Sequence, residues 1–331
     1  MKIALAGPGA FGVKHLDALM QIENAELTAL VGTKPDKTRE AAEKYRIPHA
    51  FTDLNEALAL QEVEAVILCT PTHLHAKQGI ACLRAGKHVQ IEIPVCDSLE
   101  EGEQLLALQK AAGLVAMAGH TRRFNPSHQF VHNAVVNGDL QVLQMNVQTY
   151  FFRRTNSNAL GQPRSWTDSL LWHHSAHTID LFTYQTQSRI VDARAMQGPM
   201  HPELKIPMDM GIQLKAENGA ICTLSLSFNN DGPLGTVFRY ICDNSTYIAS
   251  YDGLTDGKGA PIDLSALAPG MSGIELQDRE FISAILENRN PLACIRSVFP
   301  CYRIIDMLEK QLLSGQGSNS AFFENSQLAD F

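Results

Sequence analysis

Three histidines and an aspartate are crowded into one short segment, Trp172–Asp180. On a helix, His173, His177 and Asp180 occupy positions i, i+4 and i+7, which share one face. A histidine oriented by a carboxylate serves as a general base near neutral pH. We therefore predict that His177 is the base, supported by His173 or Asp180, and that His174 contacts substrate. Two histidines at i and i+4 also suit zinc, but no clear third ligand follows, so we expect no metal. Purely structural histidines are the other alternative.

A set of arginines lies around this segment in the sequence. Arginine binds carboxylates bidentately through its planar guanidinium. In a chain of formal net charge −8, several arginines in one pocket indicate a substrate with more than one carboxylate. Surface arginines are common, so part of the set could be solvated or structural. The candidates for substrate contact are Arg122, Arg123, Arg153, Arg154, Arg164 and the neighbouring Trp166.

A glycine-rich turn, GPGAFG at 7–12, follows the first apolar segment directly and opens a helix. GxGxxG is specific for dinucleotide binding in this context. Gly7 permits the tight turn, Gly9 lets the backbone approach a pyrophosphate at the helix N-terminus, and Gly12 lets the helix pack on the strand. The alternative is a structural glycine turn. The predicted cofactor contacts here are Gly7, Gly9, Ala10, Phe11 and Gly12.

The end of the second predicted strand carries no acidic residue. NAD-specific Rossmann domains usually have Asp or Glu there, bonded to the ribose 2′-hydroxyl, whereas this chain reads Val31-Gly32-Thr33-Lys34. The Thr33 hydroxyl and the Lys34 ammonium would instead bind a 2′-phosphate. We therefore predict NADP as the cofactor, with a solvated helix start as the alternative interpretation.

The segment Cys69–His75 follows a buried apolar strand. Ligands of open α/β sheets bind at the carboxyl ends of such strands. The candidates to line the nicotinamide side are Thr70, Pro71, Thr72 and His75.

Two kinds of element must position these residues. Strand and helix patterns alternate as far as residue 119, which predicts a doubly wound parallel sheet. Beyond it, period-2 strands separated by hairpin turns predict an open, mostly antiparallel sheet, interrupted by a helix near 169–186 and closed by two C-terminal helices. The fold class is therefore α/β, with a Rossmann domain at 1–120, an α+β substrate domain with the C-terminal helices at 121–315, and a tail at 316–331.

Composition narrows the possible partners. The 331 residues suffice for two domains. The negative net charge argues against nucleic acid, and no apolar run is long enough for a membrane span. Seven scattered cysteines without a CxxC pair favour a reducing, cytoplasmic compartment.

Taken together, these motifs resemble the glucose–fructose oxidoreductase/inositol dehydrogenase family over the whole chain. The shared features are the glycine-rich start, Thr-Pro-x-x-x-His at 70–75, Glu92-Ile93-Pro94, Arg123-Phe124-x-Pro126 and His177-x-x-Asp180. The resemblance implies an open sheet whose outer face often makes dimers, so we expect a homodimer through the C-terminal sheet. It also adds Glu92 and Ile93 to the cofactor contacts.

The chain departs from the family pattern at two positions. The usual Glu-Lys-Pro reads Glu92-Ile93-Pro94, so the active-site lysine is missing, and the aspartate four residues before the histidine is His173. Both departures argue against an ordinary sugar or inositol dehydrogenase.

Longer segments, at 119–129, 147–154, 163–168 and 228–235, resemble one branch of that family. This resemblance implies NADP-dependent oxidation of the cyclic hemiacetal of a ring-cleavage semialdehyde to a pyrone dicarboxylate, in the breakdown of aromatic acids. Such a substrate carries more than one carboxylate, as the arginines indicate. The alternatives are a dehydrogenase of another sugar-like or cyclic acid and a non-catalytic NADPH-binding sensor, which the missing lysine favours.

Overall fold

A six-stranded parallel sheet forms the core of the N-terminal part. Strand β1 (Lys2–Ala6) is central, and β1 and β4 (Ala65–Leu68) are buried on both faces, as their continuous apolar runs require. The sheet order is β3-β2-β1-β4-β5-β6, so the predicted doubly wound fold is confirmed. The other strands are β2 (Glu26–Val31), β3 (His49–Phe51), β5 (His88–Ile91) and β6 (Ala116–Ala118). The three-residue β3 was not predicted, because it is too short to show a period.

Helices connect these strands and begin at recognisable residues. Pro35 starts α2 at a position where a missing N–H costs nothing. Asp53 caps α3 by accepting from Asn55 N, and Ser98 caps α5 by accepting from Glu101 N. The helices are α1 (Gly12–Leu19), α2 (Pro35–Lys44), α3 (Leu54–Ala59), α4 (His75–Arg84) and α5 (Leu99–Ala112).

A seven-stranded sheet forms the core of the C-terminal part, with all neighbours antiparallel except β7 and β10. Its order is β13-β12-β11-β7-β10-β9-β8. The strands are β7 (Val142–Tyr150), β8 (Ile190–Gln197), β9 (Asp209–Ala216), β10 (Ile221–Ser227), β11 (Gly235–Cys242), β12 (Thr246–Ser250) and β13 (Gly253–Asp256). The predicted open, mostly antiparallel sheet is therefore confirmed, although β8 and β13 were not predicted.

The two faces of this sheet differ in burial, as the period of 2 dictates. One cross-strand row, Ile212, Leu224, Val147 and Phe238, is buried. The next row, Met196, Gly211, Ser225, Gln148 and Val237, points to the other face, where Met196 is 79% exposed. Among the described residues, one face is thus covered and the other is open.

The remaining helices are α6 (Pro126–Val136), α7 (Ala176–Thr186), α8 (Gly273–Leu286) and α9 (Ile295–Ser314). The helix predicted near 169–186 is not uniform, because a π-helical turn, Leu170–Ser175, precedes α7. Ser169 caps this turn by accepting from the backbone nitrogens of Leu171 and Trp172.

The computed structural model describes residues 1–157, 161, 163–164, 167–250, 253–268 and 270–314; the predicted tail at 316–331 lies outside them. The described chain divides into two units. The Rossmann unit contains Met1–Thr121 together with Ile274–Phe299, and the second unit contains Arg122–Ser157, Gly161–Gly273 and the chain from Pro300. Helix α8, predicted within the C-terminal domain, therefore packs in the Rossmann unit, where Asp278 is fully buried. Within the described ranges no helix is long and apolar enough to span a membrane.

Candidate active site

The glycine-rich turn has the geometry of a dinucleotide cradle. Gly7 has φ +92°, and a Cβ there would lie 2.4 Å from the carbonyl oxygen of Cys69, so only glycine fits. A Cβ on Gly12 would lie 2.1 Å from the Gly7 oxygen. Gly9, by contrast, has no heavy atom within 4 Å of its Cβ position. The cradle therefore offers open space at the N-terminus of α1, which fits a pyrophosphate.

The chain after β2 runs beside this cradle. A Cβ on Gly32 would lie 3.2 Å from Pro8 Cγ in the glycine-rich turn and 2.4 Å from Thr38 Oγ1. Thr33 and Lys34 follow and are exposed, and Lys34 makes no ion pair with any described residue. A hydroxyl and an unpaired ammonium thus lie next to the turn, a combination that fits a phosphate group.

Two residues after β4 that were predicted to contact the cofactor, Thr70 and His75, form hydrogen bonds within the protein. The Thr70 hydroxyl donates to Gln78 Oε1 at 2.5 Å. Both ring nitrogens of the buried His75 lie 2.7 Å from carbonyl oxygens, those of Pro94 and Thr70. His75 therefore links the loop at Thr70 to the loop at Pro94. Pro71 and Thr72 lie at a short 3₁₀ turn, Thr72–Leu74.

The segment after β5 differs similarly from its prediction. The Ile93 side chain is buried in the core, only 3% exposed, so it is a packing residue. The Glu92 carboxylate lies 3.2 Å from His15 Nε2 and accepts a hydrogen bond from Gln277. Sequence reasoning missed His15; its signal was a histidine three residues after Gly12, on the face of α1 that must be buried.

In the second unit, the histidines lie close together but not on one regular helical face. The ring centroids of His173 and His174 are 5.0 Å apart, and those of His173 and His177 are 6.5 Å apart with nearly perpendicular planes. His173 and His174 belong to the π-helical turn, whereas His177 belongs to α7. The wider turn alters the i, i+4 geometry that the sequence predicted.

The Asp180 carboxylate is bound by Arg123. Arg123 Nε and Nη2 donate to its two oxygens at 2.8 and 2.6 Å, and both side chains are buried. The guanidinium also lies over the Tyr184 ring at 4.7 Å, and Gln129 donates to the Arg123 carbonyl. Asp180 and Arg123, predicted for catalysis and for substrate, therefore form a bidentate ion pair that anchors α7.

A carboxylate that the sequence did not single out lies near the histidines. Asp168 accepts from Arg153 Nη2 at 2.5 Å and from Arg164 Nη1 at 3.0 Å. Burial opposes its charge, but His173, Arg153, His174 and Arg164 together lower the pKa of Asp168 to about 2. Two arginines predicted to bind substrate are thus held by an internal carboxylate. The missed signal was an aspartate immediately before the helix-capping Ser169.

Arg153 Nη1 and His174 Nε2 are buried in this cluster and have no hydrogen-bond partner among the described residues. Both side chains pack on Phe228, with the Arg153 guanidinium 4.5 Å and the His174 ring 5.1 Å from its centroid. Burial, followed by the charge of His173, lowers the pKa of His174 to about 3, so this ring is neutral. A buried unpaired N–H costs about 1–3 kcal/mol, which a ligand acceptor would relieve.

The other predicted arginines are placed differently. Arg154 is exposed, lies 4.2 Å over the Phe152 ring, and donates to Asn229 Oδ1 at 3.1 Å. Arg122 lies 5.7 Å over the Phe238 ring. Trp166 lies outside the described residues. In the part of the chain that the structure covers, no group of three His, Cys, Asp or Glu side chains could hold a metal ion.

Comparison with known proteins adds two family matches. Residues 1–120 match the model described as an oxidoreductase family with an NAD-binding Rossmann fold, GFO/IDH/MocA. Residues 126–268 match the model for the C-terminal part of bacterial oxidoreductases. The two matches follow the two sheets of the structure.

Relatives extend these matches. A 4-carboxy-2-hydroxymuconate-6-semialdehyde dehydrogenase from Sphingobium is 61% identical over 94% of this chain and 99% of that protein. Myo-inositol 2-dehydrogenase from Thermotoga maritima is 32% identical over 42% of each chain. A solved levoglucosan dehydrogenase, in complex with NADH and levoglucosan, superimposes with a TM-score of 0.83 at 19% identity, over 95% of this chain and 97% of that one; at this identity the likeness shows the fold alone.

Proposed function

The chain belongs to the GFO/IDH/MocA oxidoreductase family, as its motifs indicated, and on that premise we propose a specific reaction. It is the NADP-dependent oxidation of the cyclic hemiacetal of 4-carboxy-2-hydroxymuconate-6-semialdehyde to 2-pyrone-4,6-dicarboxylate, a step in the breakdown of protocatechuate. The observation that carries the proposal is the 61% identity to the Sphingobium dehydrogenase over nearly the whole chain.

The residues of the Rossmann unit fit the cofactor. The open space at Gly9 and the N-terminus of α1 suit the pyrophosphate, and the unpaired Lys34 with Thr33 suits a 2′-phosphate. Membership of the family implies a nicotinamide dinucleotide as cofactor, and we propose NADP rather than NAD because of these two residues.

The substrate's carboxylates suit the arginines of the second unit, and Arg153 is the strongest candidate. Its Nη2 is fixed by Asp168 and its face by Phe228, while Nη1 has no partner among the described residues. A guanidinium oriented in this way can donate hydrogen bonds to a carboxylate without reorganising. His174, neutral and packed on the same ring, supplies a second polar atom. Arg154, Arg122 and Arg164 are proposed as further contacts.

Catalysis requires one proton transfer in addition to hydride transfer. A bound NADP⁺ would supply the acceptor for the hydride that leaves the ring C–H of the hemiacetal. We assign the hydroxyl proton to His177, with His173 supporting it. A hemiacetal hydroxyl is more acidic than a sugar alcohol, so a histidine suffices without the lysine that Ile93 replaces. Asp180 acts by anchoring α7 through Arg123.

The cysteines support a lactone product. Oxidation of an open aldehyde to an acid commonly uses a thiolate nucleophile. Burial raises the pKa of Cys82 and Cys96 to about 12 and that of Cys242 to about 11. It also raises the pKa of Cys69 and Cys222. Five of the seven cysteines therefore stay protonated, which favours direct oxidation of the hemiacetal.

The open face of the seven-stranded sheet supports a homodimer. Val237 is 42%, Ile221 43% and Met196 79% exposed on this sheet, and a second copy would cover them. Light scattering should give a molar mass of two chains for the wild-type protein and of one chain for Val237→Asp. A wild-type monomer would refute this part of the proposal.

Turnover tests the proposed function against its alternatives. The purified protein is given the ring-cleavage semialdehyde or myo-inositol, each with NADP⁺ or NAD⁺. We expect cofactor reduction with the semialdehyde and NADP⁺ at a far higher rate than with any other pair. Comparable turnover of the polyol would favour a general cyclic-alcohol dehydrogenase. NADPH binding without turnover of any substrate would favour a sensor.

A further inference from the structure

A histidine of α1 is buried between two carboxylates, three residues after the glycine-rich turn. His15 is fully buried, with Nδ1 2.9 Å from both oxygens of Asp278 and Nε2 3.2 Å from Glu92 Oε1. Ionised carboxylates only accept hydrogen bonds, so the ring serves both as the protonated imidazolium. Burial opposes this charge, but the Asp278 carboxylate raises the pKa of His15 well above its ordinary value.

The surroundings hold both carboxylates in place. Gln90 Nε2 donates to Asp278 Oδ1 at 2.7 Å, and Gln277 Nε2 donates to Glu92 Oε1 at 3.0 Å. Gln277 is itself held by the Thr121 hydroxyl at 2.7 Å. A Cβ on Gly119 would lie 2.2 Å from Glu92 Oε1, so the chain leaves just enough space for this carboxylate. Contacts with several residues therefore fix the position of the Glu92 carboxylate.

The second oxygen of Glu92 is available. Oε2 makes no hydrogen bond with any described residue, and the side chain keeps 10% of its surface exposed. Glu92 follows β5, and its N–H donates to the Leu68 oxygen at the end of β4. It thus stands at the carboxyl ends of the strands, across the β1/β4 switch point from β2. In a doubly wound sheet the adenosine half lies toward β2, so this other half serves the nicotinamide.

We propose that His15 and Asp278 are positioning residues that hold Glu92 as a fixed negative charge beside the nicotinamide half of the cofactor. The inference rests on the proposed function, because it presupposes a bound NADP. The nicotinamide ring is cationic when oxidised and neutral when reduced. A fixed carboxylate therefore binds NADP⁺ better than NADPH and helps the enzyme to hold the oxidant form.

The first test is Glu92→Gln, which removes the charge and keeps the shape. Affinities of both cofactor forms are measured by calorimetry and by NADPH fluorescence. One nearby charge in a partly exposed site is worth roughly a tenfold change in Kd. We expect the Kd for NADP⁺ to rise about tenfold and that for NADPH to stay within about twofold. Equal changes for the two forms, or no change, would overturn the inference.

Glu64→Gln is the matched control. Glu64 is exposed and precedes β4, at the amino ends of the same strands, where it accepts from the backbone nitrogen of Lys2. The same substitution there should leave the ratio of the two affinities unchanged. An equal shift of the ratio in this variant would mean that overall charge, not the position of Glu92, causes the effect, and would also overturn the inference.

The role of His15 is tested by a double-mutant cycle. Without the cation, the two carboxylates repel each other and Glu92 is no longer held in place. His15→Gln should therefore shift the NADP⁺/NADPH affinity ratio in the same direction as Glu92→Gln. In the Glu92→Gln background it should shift the ratio no further. A purely structural role would weaken both cofactor forms alike in either background and would contradict the proposal.

A second variant guards against misfolding, and cofactor binding by the wild-type protein separates this inference from the proposed function. If His15→Gln does not fold, Asp278→Asn replaces it in the cycle, because the Asp278 carboxylate raises the pKa of His15 and so keeps the ring cationic. A ratio unaffected by Asp278→Asn would count against the proposal. Failure of the wild-type protein to bind either cofactor form would refute the proposed function itself. Binding of both forms, with equal losses in Glu92→Gln, would refute only this inference.

Discussion

The two units each bury one ion among groups of opposite charge, but with the signs reversed. In the Rossmann unit the His15 cation lies between Asp278 and Glu92. In the second unit the Asp168 anion lies between Arg153 and Arg164. Both ring nitrogens of His15 have carboxylate partners, whereas Arg153 Nη1 and His174 Nε2 have none among the described residues. We propose on this difference that the first cluster supports a binding site and that the second binds the substrate itself.

The largest expected difference between the two units is in proton transfer, which we assign to a histidine of the second unit. His177→Ala should lower kcat by about 10²–10⁴, because it removes the general base, while NADPH affinity stays unchanged. Steady-state kinetics and fluorescence titration check the two parts. His201→Ala, a histidine of the same unit that accepts from the backbone nitrogen of Glu203, is the control. A wild-type-like kcat for His177→Ala would move the role to His173.

The receptor interpretation of the second cluster is tested by comparing two adjacent arginines. Arg153→Met should raise the KM for substrate about 10- to 100-fold, the usual cost of one charged hydrogen bond, with little change for NADP⁺. Arg154→Met should have a smaller effect, because Arg154 is exposed and already bonded to Asn229. Initial rates over a range of substrate concentrations measure both.

Arg194, 57% exposed on β8, provides the control for loss of an arginine: Arg194→Met should behave as wild type. If Arg154→Met proves the more damaging of the two neighbours, the unpartnered Nη1 of Arg153 is not the carboxylate receptor.

The comparison also shows what a sequence can reveal. The glycine-rich turn, the absent acid after β2 and the alternation of strands and helices are local features, and they predicted the fold and the cofactor cradle. The main ion pairs are not local: Asp278 is 263 residues from His15, and Asp168 is 15 residues from Arg153. The π-helical turn that displaces His173 from a regular face likewise has no simple pattern. Residue types were therefore predictable, whereas their partners were not.

In the Rossmann unit, we expect a substitution at Lys34 to affect the binding of NADP⁺ but not that of NAD⁺. Lys34→Ala should raise the KM for NADP⁺ more than about tenfold, since it removes a charged partner of the 2′-phosphate, and should leave NAD⁺ nearly unchanged. Lys44→Ala, at the other end of α2, is the control. Equal losses for NADP⁺ and NAD⁺ would disprove the assignment of NADP specificity to Lys34.

The smallest effect concerns stability and pH. The pKa of His174 is about 3 in the folded protein and about 6.5 when unfolded. Between these values the unfolded state binds more protons, so stability falls as the pH falls, by up to about 1.4 kcal/mol per pH unit. His174→Gln should reduce this slope, measured by urea unfolding between about pH 5 and pH 7. An unchanged slope would mean that His174 is not held neutral.

The central claim, direct oxidation of a ring hemiacetal, is tested most directly by the first product. The wild-type protein is mixed with the ring-cleavage semialdehyde and NADP⁺, and the earliest product is identified by NMR and mass spectrometry. We predict 2-pyrone-4,6-dicarboxylate, formed in a one-to-one ratio with NADPH. An open-chain tricarboxylate as the first product would contradict the account.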